Sequence, residues 1–283
     1  MIGRQLFSGH RLAAFAGVAL VALAGFGNAS AAGLDPSKMS ADEIKALYAA
    51  DAYEEVPLDA MRRTIAARLT EAQTVPHFYL TADVDMGRLI ALREEANAGA
   101  PKDKDGAPAF KLSLNDFLIR AWALALQRVP AANAVWAGDR ILRFKHSDIG
   151  VAVALEDGLV APVLRHVESK SVSAISAEMK DLSARAGAKK LAPAEYQGGA
   201  SAISNLGMYG VREFAAIINP PHAAILAVGA VRDEPVVEDG AVVPGQVMTV
   251  TLSVDHRPVD GVIAARWLAA LRELLENPLR VLI

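Results

Sequence analysis

Apolar and polar residues along this chain repeat with two different periods. Apolar positions recur at helical spacing over residues 61–72, whereas residues 113–128 are apolar on nearly every face. The first pattern predicts an amphipathic helix and the second a buried helix. Further helices are predicted over residues 86–96, 173–186 and 262–275. Apolar runs predict strands over residues 77–84, 200–204, 223–231 and 247–254.

A hairpin is predicted near the middle of the chain. The apolar runs 149–155 and 159–164 are joined by Glu156-Asp157-Gly158, and Asp-Gly between two such runs is a typical hairpin turn. Short strands are also predicted around Ala134 and Ile141. Because strands, helices and hairpins are mixed along the chain, the pattern predicts an α/β (α+β) fold in which a sheet is flanked by helices.

The first 33 residues have a different character. They contain a basic start, an apolar run at 12–27 and a stretch of small residues at 28–32, which is the layout of a secretory signal peptide. The apolar run of about 16 residues is shorter than the roughly 20 residues of a membrane-spanning helix, so a cleaved signal is favoured over an anchor. A misplaced start or a non-functional extension is the other interpretation of this segment, and it is favoured over a working signal.

Residues 34–55 are predicted to form a linker. They are polar or contain proline, and Ser40 and Glu43 have the spacing of a capping box, which predicts a short helix ending near Ala49. The chain is thus divided into an N-terminal extension at 1–33, a linker at 34–55 and one domain at 56–283.

Composition excludes several classes of function. The 283 residues carry a formal charge of −3, so nucleic acid is not an expected partner. The chain contains no cysteine, which excludes disulfides, thiolate metal sites, iron–sulfur clusters and a cysteine nucleophile. Any thiol in its chemistry must belong to a substrate.

One candidate for chemistry lies near the C-terminus. Residues 253–261 (SVDHRPVDG) leave a strand, turn and enter the last helix, with His256 in the turn. A histidine held by rigid elements yet accessible is well placed for a general base. Asp260 lies where the helix begins and suits an N-cap. A purely structural His-Asp turn is the alternative.

A second candidate is the segment 198–210 (GGASAISNLGMYG). Ser204 and Asn205 stand where an apolar strand would otherwise continue into a glycine-rich turn. Such a turn lets hydroxyl and backbone donors approach a ligand, although an ordinary glycine turn has the same composition. The segment is neither a hydrolase nucleophile elbow nor a nucleotide-binding loop.

The remaining histidines of the domain are interpreted structurally. His77 and His222 lie beside prolines in apolar surroundings and are predicted to be satisfied core residues. His146 and His166 are predicted to lie in loops or at strand ends. No spacing of His, Asp and Glu indicates a metal ligand set, so no metal is predicted.

From about residue 56 to its end, the chain resembles the catalytic domain of the dihydrolipoamide acyltransferase (E2) component of 2-oxo acid dehydrogenase complexes. The resemblance is carried by five ordered stretches: MRRTIAARL at 61–69, VPHFYLT at 75–81, GVAVALEDGLVAPVL at 150–164, SNLGMYGVREFAAIINPPHAAILAVGA at 204–230 and DHRPVDG at 255–261. The fourth stretch is most similar to the pyruvate dehydrogenase type, which favours acetyl as the acyl group.

The resemblance implies a fold similar to chloramphenicol acetyltransferase, with a mixed sheet flanked by helices. It also implies a homotrimer that assembles into a larger core, with active sites between subunits. The implied reaction transfers an acetyl group between a dihydrolipoyl thiol and coenzyme A in a ternary complex, so both the lipoyl group and coenzyme A are substrates.

The resemblance assigns roles residue by residue. His256 is expected to deprotonate the attacking thiol, and Ser204 is expected to donate a hydrogen bond to the oxyanion. Asp260 is expected to orient the loop, for example by pairing an arginine of residues 61–69. Asn205 and Arg257 are expected to support cofactor binding, with a structural role as the alternative.

The chain also departs from the family pattern. No lipoyl domain and no peripheral subunit-binding domain for the E1 and E3 components is recognisable, and 55 preceding residues are too few for a lipoyl domain. The lipoyl domain would therefore be supplied by another chain. The family implies a cytoplasmic location, with which a working signal peptide conflicts. A truncated or non-catalytic core scaffold and an exported acyltransferase for a small soluble acceptor are the alternatives.

Overall fold

The computed structural model describes residues 39–283 except 103, 105, 156 and 157. The chain divides into two compact units, Met1–Pro57 and Leu58–Ile283. The predicted signal-like segment and the first residues of the predicted linker lie outside the described residues.

The described part of the first unit holds one short helix, α1, at Ala41–Lys45. The Ser40 hydroxyl accepts a hydrogen bond from the Glu43 backbone N–H, and the Glu43 carboxylate accepts one from the Ser40 N–H at 2.7 Å. The capping box is confirmed, but the helix ends before the predicted limit near Ala49.

The second unit contains the elements predicted to form the domain. Its helices are α2 (Ala60–Ala72), α3 (Gly87–Ala98), α4 (Leu114–Arg128), α5 (Val172–Gly187), α6 (Gly261–Glu276) and α7 (Leu279–Leu282). Its strands are β1 (His77–Asp85), β2 (Ala134–Trp136), β3 (Ile141–Arg143), β4 (Ile149–Val151), β5 (Val153–Leu155), β6 (Gly158–Val160), β7 (Val163–Leu164), β8 (Ser201–Asn205), β9 (Ala224–Glu238) and β10 (Ala241–Asp255).

The main sheet is mixed and has six strands in the order β1-β10-β9-β8-β4-β7. Strand β8 runs parallel to both β9 and β4, whereas the other neighbours are antiparallel. Strands β5 and β6 pair antiparallel as a separate hairpin, which confirms the predicted hairpin. A mixed sheet with flanking helices is the predicted fold class.

The core lies between this sheet and the helices. Helix α4 is buried along most of its length, as predicted, and the rings of Trp122 on α4 and Trp267 on α6 stack with 3.9 Å between their centroids. The Trp122 indole N–H donates to the Ser201 hydroxyl at 2.9 Å. This bond ties the start of β8 to the helix layer. Among the described residues, no helix has both the length and the apolar character needed to cross a membrane.

Strands β9 and β10 are longer than predicted. Their paired halves near the core are apolar and buried, but both continue as an exposed ribbon in which Pro235 lies opposite Pro244. The ribbon turns at Asp239 and Gly240, whose φ angles are 49° and 81°. Positive φ at both central residues is what a type I′ turn requires.

Candidate active site

The His256 loop follows directly from β10. His256 is exposed, its backbone N–H donates to the Pro76 carbonyl at 2.9 Å, and its ring meets the edge of the Phe78 ring at 5.3 Å and 70°. The backbone bond and the ring contact both hold His256 against the start of β1. The structure thus presents an accessible imidazole on a fixed loop, as a general base requires.

The two residues that flank His256 in the chain, Asp255 and Arg257, bind each other. Asp255 is only 3% exposed and accepts from Arg257 Nε at 2.9 Å and from its Nη2 at 2.8 Å. The guanidinium also lies over the Trp136 ring, 5.5 Å from the centroid. The hydrogen bond to Asp255 raises the pKa of Arg257 further above its ordinary value. Because these contacts engage Arg257 within its own chain, they support the structural alternative for this residue.

Asp260 closes the loop as the N-cap of α6. Its Oδ1 accepts from the backbone N–H groups of Val262 and Ile263 at 2.9 and 2.8 Å. The predicted N-cap is confirmed. Within the described part of this one subunit, Asp260 pairs with no arginine of residues 61–69, so the expectation of such a pair is wrong for the single chain. The Asp260 carboxylate binds at the helix N-terminus because the first N–H groups of a helix have no acceptors within the helix itself.

Ser204 and Asn205 end strand β8 and are partly exposed. Asn205 is tied to its own turn, because its Oδ1 accepts from the Gly207 N–H at 2.9 Å. No hydrogen-bond partner for the Ser204 hydroxyl lies within the described residues. Ser204 is therefore a free donor on a fixed strand, whereas the Asn205 side chain is engaged within its own chain, which supports the structural alternative for this residue.

The glycines of this turn are required by a close crossing of the backbone. A Cβ on Gly229 of β9 would lie 1.9 Å from the Arg212 carbonyl oxygen, and a Cβ on Gly207 would lie 2.7 Å from the Gly229 oxygen. Contacts of that length are sterically impossible. The segment after Ser204 can pass over β9 only because both positions are glycine.

The sheet register keeps Ser204 and His256 apart. Ser204 pairs with Ala227, and Ala227 pairs with Thr251, five residues before His256. At about 3.3 Å per residue and 4.8 Å per strand, the two Cα atoms lie about 16 Å apart along the strands and about 10 Å across them. Two side chains cannot bridge that separation around one thioester carbon. A site that uses both residues needs two subunits.

A cavity of about 280 Å³ opens beside the His256 loop. Its walls include Trp136, His222, Asp255 and Arg257, together with residues of the C-terminal half of α2. A larger cavity of about 510 Å³ lies between α3 and the C-terminal residues and contains none of the predicted site residues. The smaller cavity is therefore the one adjacent to the candidate base.

The interpretation of His77 and His222 as satisfied core residues is half confirmed. His77 Nδ1 contacts the Val75 carbonyl at 2.8 Å and its Nε2 accepts from the Ile218 N–H at 3.0 Å. The His222 ring is buried and its Nε2 contacts the Gly198 carbonyl at 2.8 Å, but its Nδ1 has no partner among the described residues. Burial lowers the pKa of His222, and the bond to Gly198 opposes this only in part.

Sequence reasoning missed several residues that the structure brings together. The His256 loop is supported by Phe78, Trp136 and the Asp255–Arg257 pair. Of these contacts, only the one between Asp255 and Arg257 could have been indicated by sequence spacing. His146, His166 and Glu168 also converge at the surface, about three strands from His256 in the sheet order. His146 lies 20 residues before His166, and this spacing gave no signal for the cluster.

The comparisons with known proteins give a consistent result. The family model described as 2-oxoacid dehydrogenases acyltransferase (catalytic domain) matches residues 50–283. The chain is 53% identical over 246 residues to the dihydrolipoyllysine-residue acetyltransferase component of pyruvate dehydrogenase complex of Rhizobium meliloti (strain 1021), covering 87% of this chain and 55% of that protein. The chain spans about half the length of the curated relatives it matches.

Two solved structures share the fold. One is the dihydrolipoamide acetyltransferase of Azotobacter vinelandii, at 34% identity and TM-score 0.76, covering 82% of this chain and 94% of that one. It was studied for the catalytic roles of a serine, a histidine and an asparagine, spaced 52 and 4 residues apart. The other is the cubic core of a pyruvate dehydrogenase multienzyme complex, at 35% identity, TM-score 0.76 and the same coverage.

Proposed function

Since this chain belongs to the family of 2-oxoacid dehydrogenase acyltransferase catalytic domains, we propose that it transfers an acetyl group between a dihydrolipoyl thiol and coenzyme A. In this proposal it acts as the E2 core of a pyruvate dehydrogenase-type complex. The choice of acetyl rests on relatives that are components of pyruvate dehydrogenase complex.

The strongest support for the site is a shared spacing. Ser204, His256 and Asp260 are separated by 52 and 4 residues, which equals the spacing of the serine, histidine and asparagine studied in the Azotobacter vinelandii enzyme. Asp260 stands in the place of that asparagine. Either side chain has an oxygen that can cap a helix, so the substitution preserves the N-cap seen here.

The mechanism follows from these three residues. A thiol with an ordinary pKa of about 8.5 is mostly protonated near neutral pH. His256 removes this proton while the sulfur attacks the thioester carbonyl carbon and forms a tetrahedral intermediate. The Ser204 hydroxyl of a neighbouring subunit donates a hydrogen bond to the oxyanion. When the intermediate collapses, the carbon–sulfur bond of the original thioester breaks and the departing thiolate takes the proton from His256.

The proposal requires at least two subunits for each site, and we propose a homotrimer. The register separation of Ser204 and His256 supports this arrangement. Helix α2 supports it as well, because Met61 and Leu69 leave 38% and 44% of their surfaces exposed in the single chain. Exposed apolar side chains on one helix are typical of a surface that a second chain covers. Assembly of trimers into a larger core is part of the same proposal.

The substrates and the loop residues are assigned accordingly. Coenzyme A and a lipoyl group carried by another chain are the two thiol substrates. Arg257 positions His256 through Asp255 rather than binding a cofactor, and Asn205 holds the turn that follows Ser204. Binding of E1 and E3 components is not assigned to any residue of this chain. We also propose a cytoplasmic location for the enzyme. N-terminal sequencing of the native protein that begins at Met1 would support this location, and a start near Ala32 would contradict it.

The decisive experiment is an assay with free substrates. Purified protein mixed with acetyl-CoA and dihydrolipoamide should form S-acetyl-dihydrolipoamide, and His256→Ala should lower kcat by about 10³-fold because the proton acceptor is lost. Light scattering of both proteins serves as the control for assembly. An assembled protein without activity would support the scaffold alternative, and full activity in assembled His256→Ala would contradict the proposed base.

A further inference from the structure

Two surface histidines and one carboxylate converge on a point away from His256. His146 precedes β4, and His166 and Glu168 follow β7, the antiparallel partner of β4. One ligand atom from each of the three lies within 4.8 Å of the other two. The centroids of the His146 and His166 imidazole rings are 4.2 Å apart, and His146 Nδ1 contacts Glu168 Oε1 at 2.7 Å.

The carboxylate of this cluster is held by buried groups. Glu168 Oε2 accepts from the Ser147 backbone N–H at 2.9 Å, and the buried Ser147 hydroxyl donates to the Ala123 carbonyl of α4. The Arg120 guanidinium donates to the Glu168 backbone carbonyl. Glu168 is therefore fixed both by its side chain and by its backbone, with Oε1 turned toward the histidines.

The backbone at His166 is fixed in the same way. Its N–H donates to Asp148 Oδ1 at 2.9 Å, and Asp148 pairs with Arg165 at 3.0 Å. His166 has a φ of 49°, in the left-handed region that few residues other than glycine adopt. The two histidine side chains are exposed, whereas the backbone that carries them is anchored. This combination is a preorganised backbone frame that carries two exposed rings, of which His146 is already hydrogen-bonded to Glu168.

Two imidazole nitrogens and one carboxylate oxygen form the donor set that zinc prefers, with a fourth position open to solvent. Magnesium and calcium favour sites built mainly from oxygen ligands. Donors of a tetrahedral zinc site lie about 3.4 Å apart, given bonds of about 2.1 Å. To reach that spacing, the exposed rings would have to rotate and the direct His146–Glu168 hydrogen bond would have to open. The chain has no cysteine to compete as a ligand.

We propose that His146, His166 and Glu168 form a surface site for zinc, separate from the acyl-transfer site. Bound zinc would link the segment before β4 to the turn after β7. Ion binding to the folded state alone raises the apparent stability of the fold. The proposal stands on the geometry of this cluster and is independent of the acetyltransferase activity.

The test uses the untagged full chain and zinc chloride in a buffer that does not chelate zinc. We expect competition with a chromophoric chelator to reveal one zinc per chain. His146→Gln, His166→Asn and Glu168→Gln should each weaken binding at least about tenfold, as loss of a metal-site residue commonly does. Asparagine tolerates the left-handed backbone at position 166, and glutamine retains an acceptor for the Ser147 N–H. Thermal unfolding without zinc should show that the variants fold.

The matched control is His256→Ala, which removes one exposed histidine elsewhere and should leave zinc affinity unchanged. Cobalt(II) as a second probe should give the strong visible absorption of tetrahedral coordination in the parent chain and lose it in His166→Asn. The proposal is overturned if the parent chain binds no zinc, if the three variants bind as tightly as the parent, or if His256→Ala alone abolishes binding.

Discussion

At the residue scale, His222 is a buried ring that has a hydrogen-bond partner on only one of its two nitrogens among the described residues. Its Nε2 side contacts the Gly198 carbonyl, while Nδ1 faces a buried position with no partner among the described residues. Adding a second proton would place a charge on a ring that is largely removed from solvent and whose Nδ1 has no acceptor among the described residues. This explains why burial lowers the pKa of His222.

The lowered pKa predicts a pH dependence of stability. As pH falls below about 6.5, the unfolded chain takes up a proton that the folded His222 resists, so the free energy of unfolding decreases until the folded pKa is reached. His222→Gln keeps an N–H donor but does not titrate. Urea unfolding at pH 7.5 and pH 5.5 should therefore show a larger loss of stability in the parent chain than in this variant. Equal losses in the two proteins would contradict the assignment.

Sequence reasoning reached the residues with local signatures and missed those that depend on tertiary packing. His256 and Asp260 were recognisable because a strand, a turn and a helix start follow one another within nine residues. The neighbours Phe78 and Trp136 were not, since they come from β1 and β2 and reach the loop only through the packing of distant elements. The His146–His166–Glu168 cluster was missed for the same reason.

At the scale of elements, helices were predicted well and the ends of strands were not. The 3.6-residue period of α6 reflects burial of one face along the whole helix, whereas α4 is buried on nearly every face and is therefore apolar almost throughout. In contrast, the outer halves of β9 and β10 form an exposed ribbon, so nothing forces apolar residues onto one face there. The Asp239-Gly240 turn was the available signal, the same dipeptide that had correctly predicted the β5–β6 hairpin.

The cap of α6 carries a prediction at this scale. Asp260→Ala leaves the Val262 and Ile263 N–H groups without their acceptor and should lower the free energy of unfolding by about 1 kcal/mol. Asp260→Asn should cost little, since asparagine is an equally good N-cap. Urea unfolding of the three proteins measures both values. If Asn proved as destabilising as Ala, the negative charge rather than the cap geometry would be the stabilising feature.

At the scale of the whole molecule, the strand order of the main sheet determines whether Ser204 and His256 can share a site within one chain. The family signature indicated both Ser204 and His256, and the mixed sheet was predicted in outline. The order β1-β10-β9-β8-β4-β7 could not be inferred, because it depends on which distant strands pair. The family resemblance implied sites between subunits, and that order and its register give the physical reason, because the serine and the histidine lie too far apart to serve one site within a chain.

Mixing subunits tests this separation directly. If each site of a trimer takes His256 from one chain and Ser204 from the next, equal amounts of His256→Ala and Ser204→Ala chains should regain about one quarter of the parent activity, because about one site in four combines two intact residues. Each variant alone should be nearly inactive. The two chains are co-expressed and assayed after light scattering confirms assembly. No recovery in mixed assemblies would place both residues in the same subunit.

The distance between Ser204 and His256 also bears on whether a newly synthesised chain can be active before it assembles with other copies. If His256 and Ser204 have the proposed roles, a newly synthesised chain already has its base and its oxyanion donor, but the register keeps them too far apart to act on the same thioester. Under the proposed function, we expect such a chain to be inert toward acetyl-CoA until other copies join it. The catalytic rate should then scale with the assembled fraction rather than with total protein, so dilution would switch the enzyme off without unfolding it.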